Sequence, residues 1–324
     1  MRAILARDWG PIDTLELAEV APPQPGPGEV LIRVRACGVN FADTLMVAGT
    51  YQFRPELPFS PGMEMAGEVL AVGQGVGNLA AGQRVAAIAY HGGFAEQAVI
   101  PAEAVIPLPD SMDDVSAAAF PATYSTAHLA LAHRASIRPA ERLLVLGAAG
   151  GVGLAAVEIG ALLGAEVIAA AGSAEKLEIA HQHGATHTID YRTESLRGRL
   201  REITNGDGVD VCFDPVGGEM FRQAYRAMAW EGRYLVVGFA SGEIPEVSVN
   251  RLLIYNFALV GVEWGTYMRR RSPWIGESFR QLLAWHAQGS LHPRVSATYP
   301  LERTVDALQA VLERRTTGRV VVLP

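Results

Sequence analysis

Residues 143 to 171, LLVLGAAGGVGLAAVEIGALLGAEVIAAA, leave this chain few folds to choose from. An apolar run (143–146) meets the turn Gly147-Ala148-Ala149-Gly150-Gly151-Val152-Gly153. An alanine- and leucine-rich helix follows, and then a second apolar run (167–171). A strand, a glycine-rich turn, a helix and a second strand at this spacing form a βαβ unit of the kind that binds dinucleotides. Glycine lets backbone approach a pyrophosphate, and the start of the helix offers free N–H groups and the positive end of its dipole. Ala148 stands where the first glycine of G-x-G-x-x-G is expected, so context carries the reading more than the motif does.

The rest of the chain supports two domains. Residues 1 to about 120 are rich in short β-like runs such as VLIRVRACG and EMAGEVLAVG, separated by turn clusters such as PPQPGPGE. From about 121, strand and helix alternate: LLVLG, EVIAAA, THTID, VDVCFD, GRYLVVG and FALVGVE read as strands, with helices at 153–164 and 174–184 among those between them. That pattern describes a doubly wound parallel sheet. After about 265 come further helices and a closing strand, GRVVVLP, whose character returns to that of the first domain. The expected division is 1–120 with 265–324, and 121–264.

Composition excludes several classes. A net charge of −7 argues against nucleic acid as the main partner. Two cysteines, Cys37 and Cys212, cannot build a disulfide framework or a four-cysteine zinc site, which fits a reducing, cytoplasmic setting. The N-terminus lacks the long apolar core of a signal peptide, and glycines and glutamates interrupt the longest apolar tract, so no membrane span is expected. His181, His183 and His187 do not share one helix face and are not read as a metal site.

PGPGEVLIRVRACGVNFADTLMVAGTYQ, FPATYSTAHLAL, the stretch from LGAAGGVG to THTIDY, FDPVGG, GRYLVVGFASGEIP, LVGVEWG and RRTTGRVVVLP together resemble the zinc-independent quinone oxidoreductase branch of the medium-chain dehydrogenase/reductase superfamily. The resemblance spans essentially the whole chain. It implies a GroES-like β-rich catalytic domain plus a Rossmann-like domain, with the active site in the cleft between them. Zinc-dependent relatives carry a cysteine where this chain has Asn40, and Gly-His-Glu where it has Gly62-Met63-Glu64. An amide and a thioether are poor zinc ligands, so no metal is expected. Glu64 reads as structural, paired with an arginine.

The same resemblance implies that Asn40, Asp43, Tyr51 and Thr126 lie near the nicotinamide and substrate. Asn40 and Tyr51 are the catalytic candidates. A phenol can stabilise an oxygen that gains negative charge. Many relatives carry a second tyrosine where this chain has Leu45. Cofactor contacts are expected from Asn40, Thr126, Ala149, Gly150, Gly151, Val152, Gly153, Gly172, Ser173, Lys176, Tyr191, Phe239, Trp264 and Arg319. NAD-preferring sites end the second strand with an acid. Here it ends Ala171-Gly172-Ser173, and Lys176, the chain's one lysine, follows. NADPH is therefore expected over NADH.

The expected activity is NADPH-dependent hydride transfer to a quinone. The alternative is reduction of an α,β-unsaturated carbonyl, such as an enal, enone or enoyl thioester. A non-enzymatic alternative, a crystallin-like or nucleic-acid-binding role, is also known in the family. The apolar run 257–263, at the edge of the second sheet, is expected to pair with its counterpart in a homodimer.

Overall fold

The computed structural model describes residues 1–324, which fall into two compact units: Met1–Ala122 with Pro293–Pro324, and Thr123–His292.

In the second unit, six strands form one sheet in the spatial order His187–Asp190, Glu166–Ala171, Arg142–Leu146, Val209–Asp214, Met228–Val236, Ala258–Gly261. Every neighbouring pair is parallel. Parallel strands need crossovers, and helices on both faces make the strands apolar along their whole length. Leu143, Leu144, Val145 and Leu146 are accordingly all buried. The chain winds outward from Arg142–Leu146 to His187–Asp190, then returns to start Val209–Asp214 beside its own first strand. That reversal leaves a crevice beyond the carboxyl ends of the two central strands, where α/β sheets bind ligands.

The helix Gly151–Leu162 packs against this sheet closely enough that a Cβ at Gly160 would lie 2.4 Å from Leu143 Cδ2. Ser173 caps Ala174–Gln182 as expected, accepting the Lys176 N–H at 3.3 Å, whereas the helix expected from 153 begins at Gly151.

The two helices Trp264–Arg269 and Pro273–Ala287 belong to the second unit, so the chain returns at 293 and not near 265. The reason lies in the apolar face of Pro273–Ala287. Ser278 bonds His128 Nδ1 at 2.8 Å, and Trp274 and Trp285 pack on the same imidazole at 5.2 and 5.4 Å. Such long-range pairing is invisible to strand-and-turn character alone.

The first unit is built on a seven-stranded sheet ordered Val295–Pro300, Arg319–Leu323, Glu29–Val39, Glu64–Val72, Arg84–Ile88, Val105–Pro107, with Gln97–Pro101 also paired to Glu29–Val39. The last strand, Arg319–Leu323, inserts antiparallel beside Glu29–Val39, with Val320 opposite Val39. On the other side Glu64 pairs with Gly38. This register brings residues from positions 40, 64 and 319 to one end of one strand.

Candidate active site

In the second unit the glycine turn sits at the carboxyl end of Arg142–Leu146. The residue that takes the left-handed conformation is Gly147, at φ +59°. Ala148 lies in the turn and donates its N–H to Ala170 O at 3.1 Å. The missing first glycine of the motif is thus supplied one position earlier. Gly150 caps the helix with extended backbone, and its N–H donates to Gly147 O at 2.9 Å. Gly153 has no room for a side chain, because a Cβ there would lie 2.3 Å from Gly147 O. The first turn of Gly151–Leu162 then leaves the N–H groups of Gly151, Val152 and Gly153 without intrahelical partners, as helix geometry requires. Three donors and a helix dipole make a ready seat for a diphosphate.

The neighbouring strand ends as expected. Gly172 meets the ring of Tyr191, whose phenol oxygen would lie 3.1 Å from an added Cβ. Tyr191 reaches there because its N–H continues the ladder to Ala171 O at 3.2 Å. Ser173 uses an oxygen lone pair as the helix cap and keeps its O–H proton to donate. Lys176 is half-buried in the first turn of the same helix. No acid stands at the end of Glu166–Ala171.

One support was not anticipated. Asp214 ends the strand Val209–Asp214 and is 2% exposed. Its carboxylate accepts the N–H groups of Val216 (2.7 Å) and Gly217 (2.9 Å) and the Tyr234 hydroxyl (2.7 Å). Burial nonetheless pushes its pKa up. These bonds hold a loop whose Val216 side chain lies 3.1 Å from where a Cβ on Gly147 would be, and Phe239 closes on Gly217 from the other side. The signal was present in FDPVGG: an acid two and three residues before N–H groups that a glycine pair frees. Trp264 heads the helix Trp264–Arg269 with its indole N–H buried and unpartnered, and its ring meets Phe279 edge-on. Thr126 lies half-buried on Pro121–His128.

The histidines do not converge. His183 Nδ1 bonds Glu158 at 2.6 Å and His187 Nε2 bonds Glu166 at 2.8 Å. Glu158 also accepts the Tyr124 hydroxyl at 2.6 Å, which makes it a buried anchor for three segments of the second unit.

In the first unit, Asn40 is the N-cap of the short helix Phe41–Val47, and Asp43 Oδ2 accepts the Asn40 N–H at 2.7 Å. Tyr51 follows the helix and is half-buried. Glu64 is fully buried and saturated: Oε1 accepts from Asn40 Nδ2 (2.9 Å) and Arg319 Nη2, and Oε2 accepts the Ala122 N–H (2.8 Å). Arg319 Nη1 donates to Asn40 Oδ1 at 3.0 Å. A Cβ on Gly38 would lie 2.8 Å from the Arg319 guanidinium and 2.9 Å from Glu64 Cγ, so glycine makes the space for the ion pair. Burial pushes the Asp43 carboxyl up to about 7, against the pull of the Asn40 N–H and Arg319. The pairing of Glu64 with an arginine is as expected. That the arginine is Arg319, and that it also bonds Asn40, is new.

A family model described as a zinc-binding dehydrogenase matches residues 151–287, and one for the alcohol dehydrogenase GroES-like domain matches residues 26–110. The chain is 41% identical over 300 residues to a quinone oxidoreductase-like protein 2 homolog from Nematostella vectensis, covering 92% of this chain and 82% of that one. It belongs to the quinone oxidoreductases of the medium-chain dehydrogenase/reductase superfamily. The GroES-like and Rossmann-like architecture follows that family. Among solved structures, the Escherichia coli quinone oxidoreductase complexed with NADPH superposes with a TM-score of 0.93 at 30% identity, covering 100% of both chains. A mycobacterial protein complexed with NADPH does so with a TM-score of 0.93 at 32% identity, again over 100% of both. This oxidoreductase has no helix long and apolar enough to cross a membrane.

Proposed function

We propose that this oxidoreductase binds NADPH and reduces quinones without a metal. The observation that carries the cofactor assignment is the strand end Ala171-Gly172-Ser173. An acid there would repel a 2′-phosphate, and here the hydroxyl of Ser173 and the ammonium of Lys176 stand in its place. The free N–H groups of Gly151, Val152 and Gly153 fit a diphosphate. Tyr191, packed on Gly172, offers an aromatic face to an adenine. NADPH, when bound, supplies the hydride.

Zinc does not fit the first unit. The space beside Gly38 already holds a cation, the guanidinium of Arg319 on Glu64, and it would repel a second one. Asn40 is an amide and Met63 a thioether, both poor zinc ligands, and burial holds the Cys37 thiol well above its ordinary pKa. Asn40 and Tyr51 are left as the polar groups that orient an acceptor carbonyl and stabilise the oxygen that gains charge.

Enones are the second reading, because the same residues serve a carbonyl conjugated to a double bond. The deciding experiment follows NADPH oxidation with a panel of quinones, enones and enoyl thioesters, before and after exhaustive chelation. Quinones turned over fastest, with chelation without effect, is the expected result. Oxidation of NADPH by none of them overturns the reading. Tyr51→Phe should lower turnover about tenfold, or ~1.4 kcal/mol, with enones affected more than quinones. Unchanged turnover with both would make Tyr51 a packing residue.

The protein is further proposed to work as a cytoplasmic homodimer. The edge strand Ala258–Gly261 follows in the chain directly after the exposed Val249, Leu253, Ile254 and Tyr255, apolar surface suited to a second copy. A stable monomer by light scattering at micromolar concentration would remove that proposal.

A further inference from the structure

An asparagine amide can usually sit either way round, since its oxygen and nitrogen are alike in shape. Asn40 has no such choice. Arg319 has only donors and a carboxylate has only acceptors. Oδ1 must therefore face Arg319 Nη1 (3.0 Å), and Nδ2 must face Glu64 Oε1 (2.9 Å). Glu64 is itself held by the Ala122 N–H and the guanidinium, and Arg319 is 7% exposed. Asn40 is half-buried. Its Nδ2 carries a second N–H beyond the one given to Glu64. The backbone of Asn40 is pinned as well, by Asp43.

We infer that Arg319, through Glu64, is a positioning residue that holds the Asn40 carboxamide in one orientation, so that a single N–H donor is presented to the carbonyl oxygen of a bound ligand. The inference rests on the reductase reading and deepens it. An arginine contacting cofactor alone would be needed for NADPH affinity. An arginine that orients Asn40 is needed for turnover, and only while Asn40 is an amide.

The test has two arms. The first does not use activity. The chain has five asparagines, so the side-chain NH2 pairs of protein labelled with 15N-asparagine are few, and Asn40→Asp identifies the pair of Asn40 by its loss. In the unchanged protein that pair should show two widely separated proton shifts, with one proton exchanging slowly. Arg319→Gln should bring the two shifts together and equalise exchange, and Arg319→Lys should restore neither. The second arm is a double-mutant cycle. Arg319→Ala should lower turnover at least tenfold with NADPH affinity, read by fluorescence, changed less than threefold, and added guanidinium should recover part of the loss. In an Asn40→Ala background, Arg319→Ala should then cost less than twofold. Equal effects of Arg319→Ala in both backgrounds, or an unchanged Asn40 pair in Arg319→Gln, overturns the inference. An unchanged protein that oxidises NADPH with no acceptor overturns the reductase reading instead, and the amide spectra still decide the orientation.

Discussion

The seven residues of the glycine turn, 147–153, carry no charged side chain, whereas the cluster of Asn40, Asp43, Glu64 and Arg319 is almost all charge. The second unit makes its polar site from backbone N–H groups left over at a helix start. The first makes its own from side chains that are largely buried and bonded to one another, with Asp43 Oδ1 and Arg319 Nε left without a partner. A backbone site depends on conformation and barely on pH. A side-chain site depends on every partner being present and on protonation. The two should therefore fail differently when perturbed.

Removing one partner from the charged cluster should do the most damage. Glu64→Ala leaves the Arg319 guanidinium buried with no carboxylate, which typically costs about 3–5 kcal/mol. Chemical denaturation should show that loss. A change under ~1 kcal/mol would mean that water reaches Arg319 and that the cluster is less dry than its burial indicates.

The backbone site breaks through crowding. Gly153→Ala places a methyl 2.3 Å from a carbonyl oxygen that cannot swing away. A stability loss toward the upper end of the ~1–3 kcal/mol of overpacking is expected, together with loss of NADPH binding by calorimetry. Retained binding would show that the first turn can shift without losing its donors.

At the rim of the second site the charge to test is that of Lys176. Lys176→Glu should weaken NADPH by about 1–3 kcal/mol and leave NADH nearly unchanged, as measured by fluorescence titration. Equal weakening of both cofactors would place Lys176 away from the 2′-phosphate.

The gentlest test sharpens the contrast in pH. Asp43 titrates at about 7 in the folded protein and near 3.8 when unfolded. A carboxyl whose folded value is raised binds its proton more tightly in the native state. Its contribution is complete below pH 4 and is lost as pH rises toward 7. Asp43→Asn, which keeps an acceptor for the Asn40 N–H, should flatten that decline by about 1 kcal/mol between pH 6 and 7. An unaltered pH profile would mean that Asp43 is already ionised in the native state.

The same contrast explains what could be read from the sequence. The backbone site is local: strand, turn, helix and second strand follow one another within 29 residues, so periodicity and glycine placement display it, including Ser173 as a cap. Which glycine of the turn is left-handed, Gly147, is not something the pattern assigns. The side-chain cluster joins positions 40, 64 and 319, which no local pattern connects. The family resemblance pointed to Asn40 and Arg319 separately, but their bond depends on the last strand inserting beside Glu29–Val39. The boundary near 292 was hidden for a similar reason, since His128 and Ser278 meet across 150 residues of chain.

Lys176 has a consequence beyond cofactor choice. With every other basic side chain an arginine or a histidine, this sequence offers reagents just one side-chain amine, the ε-amine of Lys176. An acylating dye applied to the native protein therefore has one side-chain address, on the first turn of Ala174–Gln182, where occupancy by a phosphate would shield it. The chain carries its own single-site footprint of whatever binds there.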